Sequence, residues 1–318
     1  EQLELEEPIS REELIQEACR LADDILSMAC PTSSGDLEWI GMALLPNTSQ
    51  FRVRLLGASL YDGSVGIALF LASLAVQAGR HDYAVAARAA VNKLLNWSLG
   101  PDSSSLEMSG VSMLEIGAAT GVAGLIYGLV RLGDLLADGD MLAAAESLAG
   151  LINGPAIVAD QQLDVIAGCA GAILGLLVLH DRTGRSEYLQ RAVICGKKLL
   201  DDRIQVSGND FRAWRTTEPD PLTGFSHGAA GICLALLRLH QVTGLKIFSD
   251  AALEGLAYEA SVFVPEIGNW PDLRKHGDQS PMPWYLVNWC HGAAGIGLAR
   301  LAAPVWTGSH VIQRDINH

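Results

Sequence analysis

Ser226-His227-Gly228-Ala229-Ala230-Gly231 and Cys290-His291-Gly292-Ala293-Ala294-Gly295 carry the same pattern 64 residues apart. Three further segments share its G-x-x-G core: Tyr61-Asp62-Gly63-Ser64-Val65-Gly66, Ala119-Thr120-Gly121-Val122-Ala123-Gly124 and Ile166-Ala167-Gly168-Cys169-Ala170-Gly171. Successive first glycines lie 58, 47, 60 and 64 residues apart, a loose period that suits an array of helical hairpins. Each G-x-x-G opens an almost wholly apolar run. Gly79, Gly184 and Gly244 follow their first glycines by 16 residues, which leaves a helix of three to four turns closed by a glycine C-cap. Ala-rich amphipathic stretches come next, at Tyr83 to Leu95, Tyr188 to Leu200 and Phe248 to Tyr258. A helix that is apolar all round must be buried, and one with a polar face lies outside it. Repeated inner–outer hairpins predict an all-α fold, an α/α toroid. No sustained period-2 stretch is evident, so no strands are expected.

Composition agrees with a large core. Of 318 residues, 49% are apolar and 18% charged, which excludes a disordered chain. The net charge of −14 disfavours a nucleic-acid partner. The most apolar stretch, Val165 to Leu179, is shorter than the roughly 20 residues of a spanning helix. The acidic start, Glu1 to Glu7, lacks the pattern of a signal peptide and an initiator Met, so the chain is read as part of something longer. Six dispersed cysteines without a CxxC pair point to reduced thiols and a cytoplasmic location.

The repeat register places Asp62, Thr120, Ala167, His227 and His291, each one residue before its first glycine, around a common mouth. Asp164 lies four residues before Gly168, and Cys290 stands beside His291. Singly, a His or Cys in an apolar chain is more often packed than functional; their recurrence at equivalent positions favours a site. Cys290 with His291 suggests zinc, but no second pair follows to complete a ligand set. Cys19, Cys30 and Cys195 are read as lying inside helices. Cys169 and Cys233 fall in the inner runs, as small buried hydrophobes. Asp23-Asp24 and Asp201-Asp202 are read as solvated outer faces. The stretch Trp270-Pro271-Asp272-Leu273-Arg274 is either a structural turn or part of the mouth. No G-x-x-x-x-G-K-[ST] occurs, which removes a phosphate-cradling loop.

Leu60-Tyr61-Asp62-Gly63, Gly224-Phe225-Ser226-His227-Gly228 and Asn288-Trp289-Cys290-His291-Gly292 resemble the lanthionine synthetase C-like cyclases. Ile116 to Gly121 and Phe263 to Arg274 resemble the cyclase domain of the bifunctional, class II lanthipeptide synthetases. The similarity runs from about Asp36 to Arg300. It implies a toroid of seven hairpins, five to six of them here, with zinc at its mouth. The implied reaction is addition of a cysteine thiol of a ribosomally made precursor peptide to dehydroalanine or dehydrobutyrine. By motif, Cys290 matches a zinc cysteine, His227 the histidine thought to act as acid and base, and Asp164 its associated aspartate; His291 follows the metal cysteine as a supporting residue. The family's further Cys-Cys-Gly or Cys-His-Gly repeat, which supplies the other zinc ligands, and the preceding dehydratase domain are not found in this sequence. Val311 to His318 reads like the start of the next outer helix. The expectation is therefore a single cyclase-like domain over 1–318, C-terminally truncated, with an incomplete zinc site and little activity by itself. Two other readings compete: a non-catalytic peptide-binding toroid, and a carbohydrate-active toroid that would need paired carboxylates at the mouth.

Overall fold

The structure is a computed structural model and describes residues 9–44, 50–100, 115–206, 208, 210–274 and 284–303. Val311 to His318 lies outside them. Contacts divide the chain into two compact units, one of residues 1–111 with 128–144 and one of residues 112–127 with 145–318.

All five G-x-x-G segments open helices. In the first unit, α2 (Ser64–Ala78) follows Gly63 and packs on α3 (His81–Leu99), after an N-terminal helix α1 (Arg11–Ser27). The helix α4 (Val122–Leu136), which follows Gly121, contributes to both units. In the second unit come α5 (Gly139–Ala149, begun in the first), α6 (Gly154–Ala159), α7 (Cys169–Thr183), α8 (Ser186–Asp201), α9 (Ala229–Thr243), α10 (Lys246–Ser261) and α11 (Ala293–Leu301). The helix α7 pairs with α8, α9 pairs with α10, and α9 also packs against both α7 and α11. The inner–outer hairpins read from the sequence are thus present. The inner helices end where the spacing predicts: Gly79, Gly184 and Gly244 take left-handed φ values of 65°, 70° and 70°, which only glycine adopts without penalty.

The inner helices α7 and α9 are apolar on every side because almost every side is covered. In α9, Ile232, Ala235, Leu236 and Leu239 are fully buried; burial of each large side chain is worth about 1.5–3 kcal/mol. The outer helices show one buried face: Tyr188, Ala192, Cys195 and Leu199 in α8 recur at a spacing of three to four residues. Close approach is made possible by small residues. A side chain at Gly175 of α7 would collide with Ala123 of α4.

The G-x-x-G pattern has a more specific cause. An α-helix begins with backbone N–H groups that lack intrahelical partners, and none of Gly63, Gly168, Gly228 and Gly292 has a side chain to cap them. At α11 the Asn269 side chain does it; in the other four repeats the preceding loop does, through carbonyls seven residues upstream. Ser64 donates to Gly57, Val122 to Glu115, Ala170 to Leu163 and Ala229 to Leu222, at 2.9–3.0 Å. To reach those N–H groups the loop must lie on the helix. A Cβ on the second glycine would strike a carbonyl six residues back: Leu60 for Gly66, Val165 for Gly171, Phe225 for Gly231 and Trp289 for Gly295.

Two expectations fail. Short strands do occur: β1 (Cys30–Pro31) pairs with β2 (Leu37–Glu38), β3 (Ile40–Leu44) with β4 (Phe51–Leu55), and β5 (Arg203–Gln205) with β6 (Arg212–Trp214), each pair antiparallel. Phe51-Arg52-Val53-Arg54-Leu55 does alternate, but over five residues only, and no other strand is longer. Cys30, read as helical, opens β1 for the same reason: the chain leaves α1 at Met28. The three buried cysteines Cys169, Cys195 and Cys233 behave as small hydrophobes, with exposures of at most 1%. Burial holds the Cys233 thiol well above its ordinary pKa. Among the described residues no helix is long and apolar enough to cross a membrane.

The two roles of glycine predict different costs. Gly231→Ala would drive a methyl group into the Phe225 carbonyl and the Val165 side chain, whereas Gly184→Ala meets only open space and a left-handed backbone. The C-cap change should cost about 1 kcal/mol and Gly231→Ala about 1–3 kcal/mol more through overpacking, read from urea unfolding midpoints. A smaller loss in Gly231→Ala than in Gly184→Ala would refute this account of the motif.

Candidate functional site

The capping loops of the second unit hydrogen-bond to one another in sequence. Gly117 and Ala118 donate to Ala167 and Val165 at 2.8 Å, Val165 donates to Ser226 at 3.2 Å, and Ser226 donates to Cys290 at 3.3 Å. This backbone ladder runs from the α4 loop through those of α7 and α9 to that of α11. It brings Thr120, Ala167, His227 and His291 onto adjoining loops. Asp62 belongs to the other unit.

Two of the expected site residues meet directly. His227 Nδ1 lies 2.5 Å from Asp164 Oδ2. Asp164 is fully buried and the His227 side chain is 27% exposed. The other carboxylate oxygen accepts the Ala167 N–H at 2.8 Å, so both oxygens of this buried anion are satisfied, as burial demands. The imidazole is fixed from its backbone side as well, by a 2.6 Å hydrogen bond from Thr216 Oγ1 to the His227 carbonyl. A carboxylate at Nδ1 selects the tautomer that carries its proton there, which leaves Nε2 as the nitrogen for chemistry.

The segment that delivers Asp164 is strained. Leu163 has φ of +62°, a left-handed conformation that costs a non-glycine residue about 1–3 kcal/mol. Asp160 holds it there. Its Oδ1 accepts the N–H of Gln162 (2.9 Å) and Leu163 (3.3 Å), and its Oδ2 accepts that of Cys169 (2.8 Å), the first residue of α7.

Cys290 and His291 adjoin the pair. The His227 and His291 rings have centroids 6.3 Å apart. The Cys290 carbonyl accepts from both Ser226 N–H (3.3 Å) and Ser226 Oγ (3.2 Å). Asn288 Oδ1 accepts the Cys290 thiol at 3.1 Å and the His291 N–H at 2.8 Å. Asn269 completes the turn: its Oδ1 takes the N–H of Ala293, and its Nδ2 donates to the Leu286 carbonyl. Gly292 has φ of +81° and no room for a Cβ beside that carbonyl.

Zinc, which the resemblance implies, requires several such donors. Cys290 offers one thiolate. Among the described residues no three His, Cys, Asp or Glu side chains are grouped so as to hold a metal ion. The described residues do not by themselves fit zinc.

A buried ion pair not anticipated from the sequence ties the two loops to the helices behind them. Arg300 of α11 meets Glu259 of α10 at 2.6 Å, with side chains 2% and 0% exposed. Glu259 Oε1 also accepts the Gly224 N–H at 3.0 Å, and its carbonyl accepts Trp270 Nε1 at 2.8 Å. Trp270 is thus a structural member of its turn. In the sequence Glu259 looks like one more charge on an outer helix, and Arg300 like a solvated helix end. Asp23 accepts from Tyr83 and Asp24 from Arg20 on the α1 surface, and Asp202 pairs with Lys198 at 2.5 Å. None of these acidic pairs forms a site.

The sequence profile of the family described as Lanthionine synthetase C-like protein matches residues 55–317. Among solved structures, nisin cyclase is similar with a TM-score of 0.58 and 17% identity, over 81% of this chain and 68% of that one. The likeness is one of fold, an all-α toroid. The Lin0763 protein from Listeria innocua follows with a TM-score of 0.47 and 19% identity, over 62% of this chain and 55% of that one. The α-1,6-mannanase GH76A of Salegentibacter sp. HEL1_6 has a TM-score of 0.46 and 16% identity, over 61% of this chain and 57% of its own. The chain thus spans little more than half the length of these last two. No curated protein sequence matches.

Removal of one partner from a buried pair leaves an uncompensated charge. Glu259→Gln should therefore destabilise the protein by about 3–5 kcal/mol, and Glu259→Gln with Arg300→Met should recover part of that loss. Denaturant unfolding of the single and double variants reads both. A single variant as stable as the parent would show that the pair does not anchor the loops.

Proposed function

The chain belongs to the lanthionine synthetase C-like family, and from that premise we propose that it closes thioether rings in a lanthipeptide. Its substrate in this reading is a ribosomally made precursor peptide that has already been dehydrated. The observation that carries the reading is the His227–Asp164 pair, 2.5 Å apart, set beside the loop of Cys290 and His291. A carbohydrate-active reading lacks such support, since the two carboxylates of the α7 loop, Asp160 and Asp164, are both buried and bonded to backbone N–H groups.

The pair supplies the proton handling that such an addition requires. The Nε2 atom of His227 takes the proton of a peptide cysteine thiol. The thiolate sulfur forms a bond to the β-carbon of dehydroalanine or dehydrobutyrine, and the alkene electron pair moves toward the α-carbon and its carbonyl oxygen. The resulting imidazolium then returns its proton to the α-carbon. Thiol and alkene become one thioether, with no other atom gained or lost. Asp164 holds the imidazole in register and stabilises its positive charge between the two transfers. His291, with its ring near that of His227, closes the other side of the site.

Zinc remains part of the proposal, with Cys290 as one thiolate ligand. We place the chain in the cytoplasm, in a class II synthetase with a dehydratase domain. Metal analysis of the purified protein and of Cys290→Ala after zinc loading tests the ligand: zinc lost on substitution supports it, and zinc retained in the variant removes Cys290 from the ligand set.

Ring closure leaves the peptide mass unchanged, so the assay counts free thiols by alkylation of a pre-dehydrated peptide. General acid–base catalysis contributes about 10²–10⁴-fold, and His227→Ala should lose activity within that range. Asp164→Asn should show a related loss, and the double variant should lose less than the product of the two because the residues act as one unit. Full activity in His227→Ala would remove the histidine from the mechanism. Peptide binding without thiol loss in the parent would favour a non-catalytic binding role.

A further inference from the structure

The turn Trp270–Arg274 splits into two halves with different surroundings. Trp270 is 3% exposed and faces inward to Glu259. Arg274 is on the rim, with its side chain 32% exposed. Between them the turn is pinned on both sides: the Pro271 carbonyl accepts Thr223 Oγ1 at 3.4 Å, from the His227 loop, and Asp272 N–H donates to the Trp284 carbonyl at 2.7 Å, on the approach to Cys290. Arg274 therefore stands at the junction of the two loops that carry His227 and Cys290.

Its guanidinium is held rather than loose. Asp272, with a side chain 1% exposed, receives Arg274 Nε at 3.0 Å and Nη2 at 2.7 Å, and the Arg274 N–H also reaches Asp272 Oδ1 at 3.1 Å. This occupies the Nε–Nη2 edge of the fork and, among the described residues, leaves the Nη1 edge for a ligand. The hydrogen bond to Asp272, against a smaller desolvation cost, keeps the guanidinium charged beyond its ordinary range; Cys290 and Glu218 are the other groups whose charge it feels. A surface ion pair formed for its own sake would add little. A buried carboxylate spent on orienting a part-exposed arginine at the junction of these loops resembles the preorganised donors that meet developing charge in a reaction.

We propose that Arg274 is the oxyanion-binding residue of this site: its Nη1 edge hydrogen-bonds the peptide carbonyl oxygen next to the dehydro residue and stabilises the enolate formed when sulfur adds to the β-carbon. Asp272 is its positioning residue. Asp272 already neutralises the guanidinium and Glu218 nearby adds a negative charge, so the arrangement suits an oxygen that gains charge only during the step better than a permanent dianion such as phosphate. The proposal deepens the ring-closing reading above and, for its catalytic part, rests on it. Nothing covalent happens at Arg274; it donates hydrogen bonds to the oxygen, and these relax when His227 returns the proton to carbon.

Two measurements on the full chain test this. In the thiol-loss assay, Arg274→Gln should lower kcat by about 10²–10³-fold, the usual effect of losing one oxyanion donor, with a much smaller change in KM. Arg274→Lys should retain part of the activity, and Asp272→Asn should fall between Arg274→Gln and the parent. In a binding assay, two unreactive peptides carry Asp or Asn in place of the dehydro residue. The parent should bind the Asp peptide several-fold more tightly, and Arg274→Gln should bind both alike. The Lys variant carries the same tests should the Gln variant not fold. Turnover in Arg274→Gln within threefold of the parent, or equal binding of both peptides by the parent, overturns the proposal. A parent that closes no rings yet prefers the Asp peptide, with the preference lost in Arg274→Gln, would leave the anion site standing and defeat the cyclase reading instead.

Discussion

Each inner helix of this protein starts with backbone N–H groups that its own N-cap residue cannot satisfy, because that residue is a glycine. In four of the five repeats the loop before it folds back and supplies a carbonyl at the same seven-residue offset, and at α11 the Asn269 side chain takes that place. Everything else at the mouth depends on that constraint. The loop can lie against the helix only where the Cβ positions at both glycines are empty, which is why two glycines recur three residues apart. Once laid down, the loop has its remaining donors and acceptors facing sideways. They pair with the next loop, and the backbone ladder from Gly117 to Cys290 results.

That ladder holds the loops of the candidate site in a fixed relation. It sets the loop of α7 beside the loop of α9, so that a carboxylate four residues before one glycine meets an imidazole one residue before the next. The cost of burying Asp164 completely is offset by two hydrogen bonds, and the left-handed backbone at Leu163 is held by Asp160. Glu259 and Arg300 bind the loops of α9 and α11 from behind. A buried pair of this kind is weak evidence for net stability, since apolar replacements often do as well. Here its third contact, the Gly224 N–H, makes it a device for holding a loop in place.

Much of the fold was legible because it rests on local rules. Apolar runs of fixed length between glycines announce buried helices; the 16-residue interval to Gly79, Gly184 and Gly244 became three left-handed C-caps. The residue position before each first glycine pointed to the loops that adjoin, and His227 with Asp164 could be singled out by motif. The strands escaped because the longest, Ile40–Leu44 and Phe51–Leu55, offer five residues each, too few for a period of two to stand out against a helical background.

What the sequence determined by itself, then, was the alternation of inner and outer helices and the short list of candidate side chains, since both follow from residue type and spacing along the chain. Only the tertiary structure decided which of these side chains meet. Asp164 and His227 are 63 residues apart in sequence, Glu259 and Arg300 are 41, and Pro271 meets the Thr223 loop across 48. Nothing in the local pattern distinguishes Glu259 from the solvated acids of the other outer helices, or Arg274 from an ordinary turn cation. Their roles arise when packing removes water from one end of each pair, and that removal is a property of the assembled loops rather than of any segment.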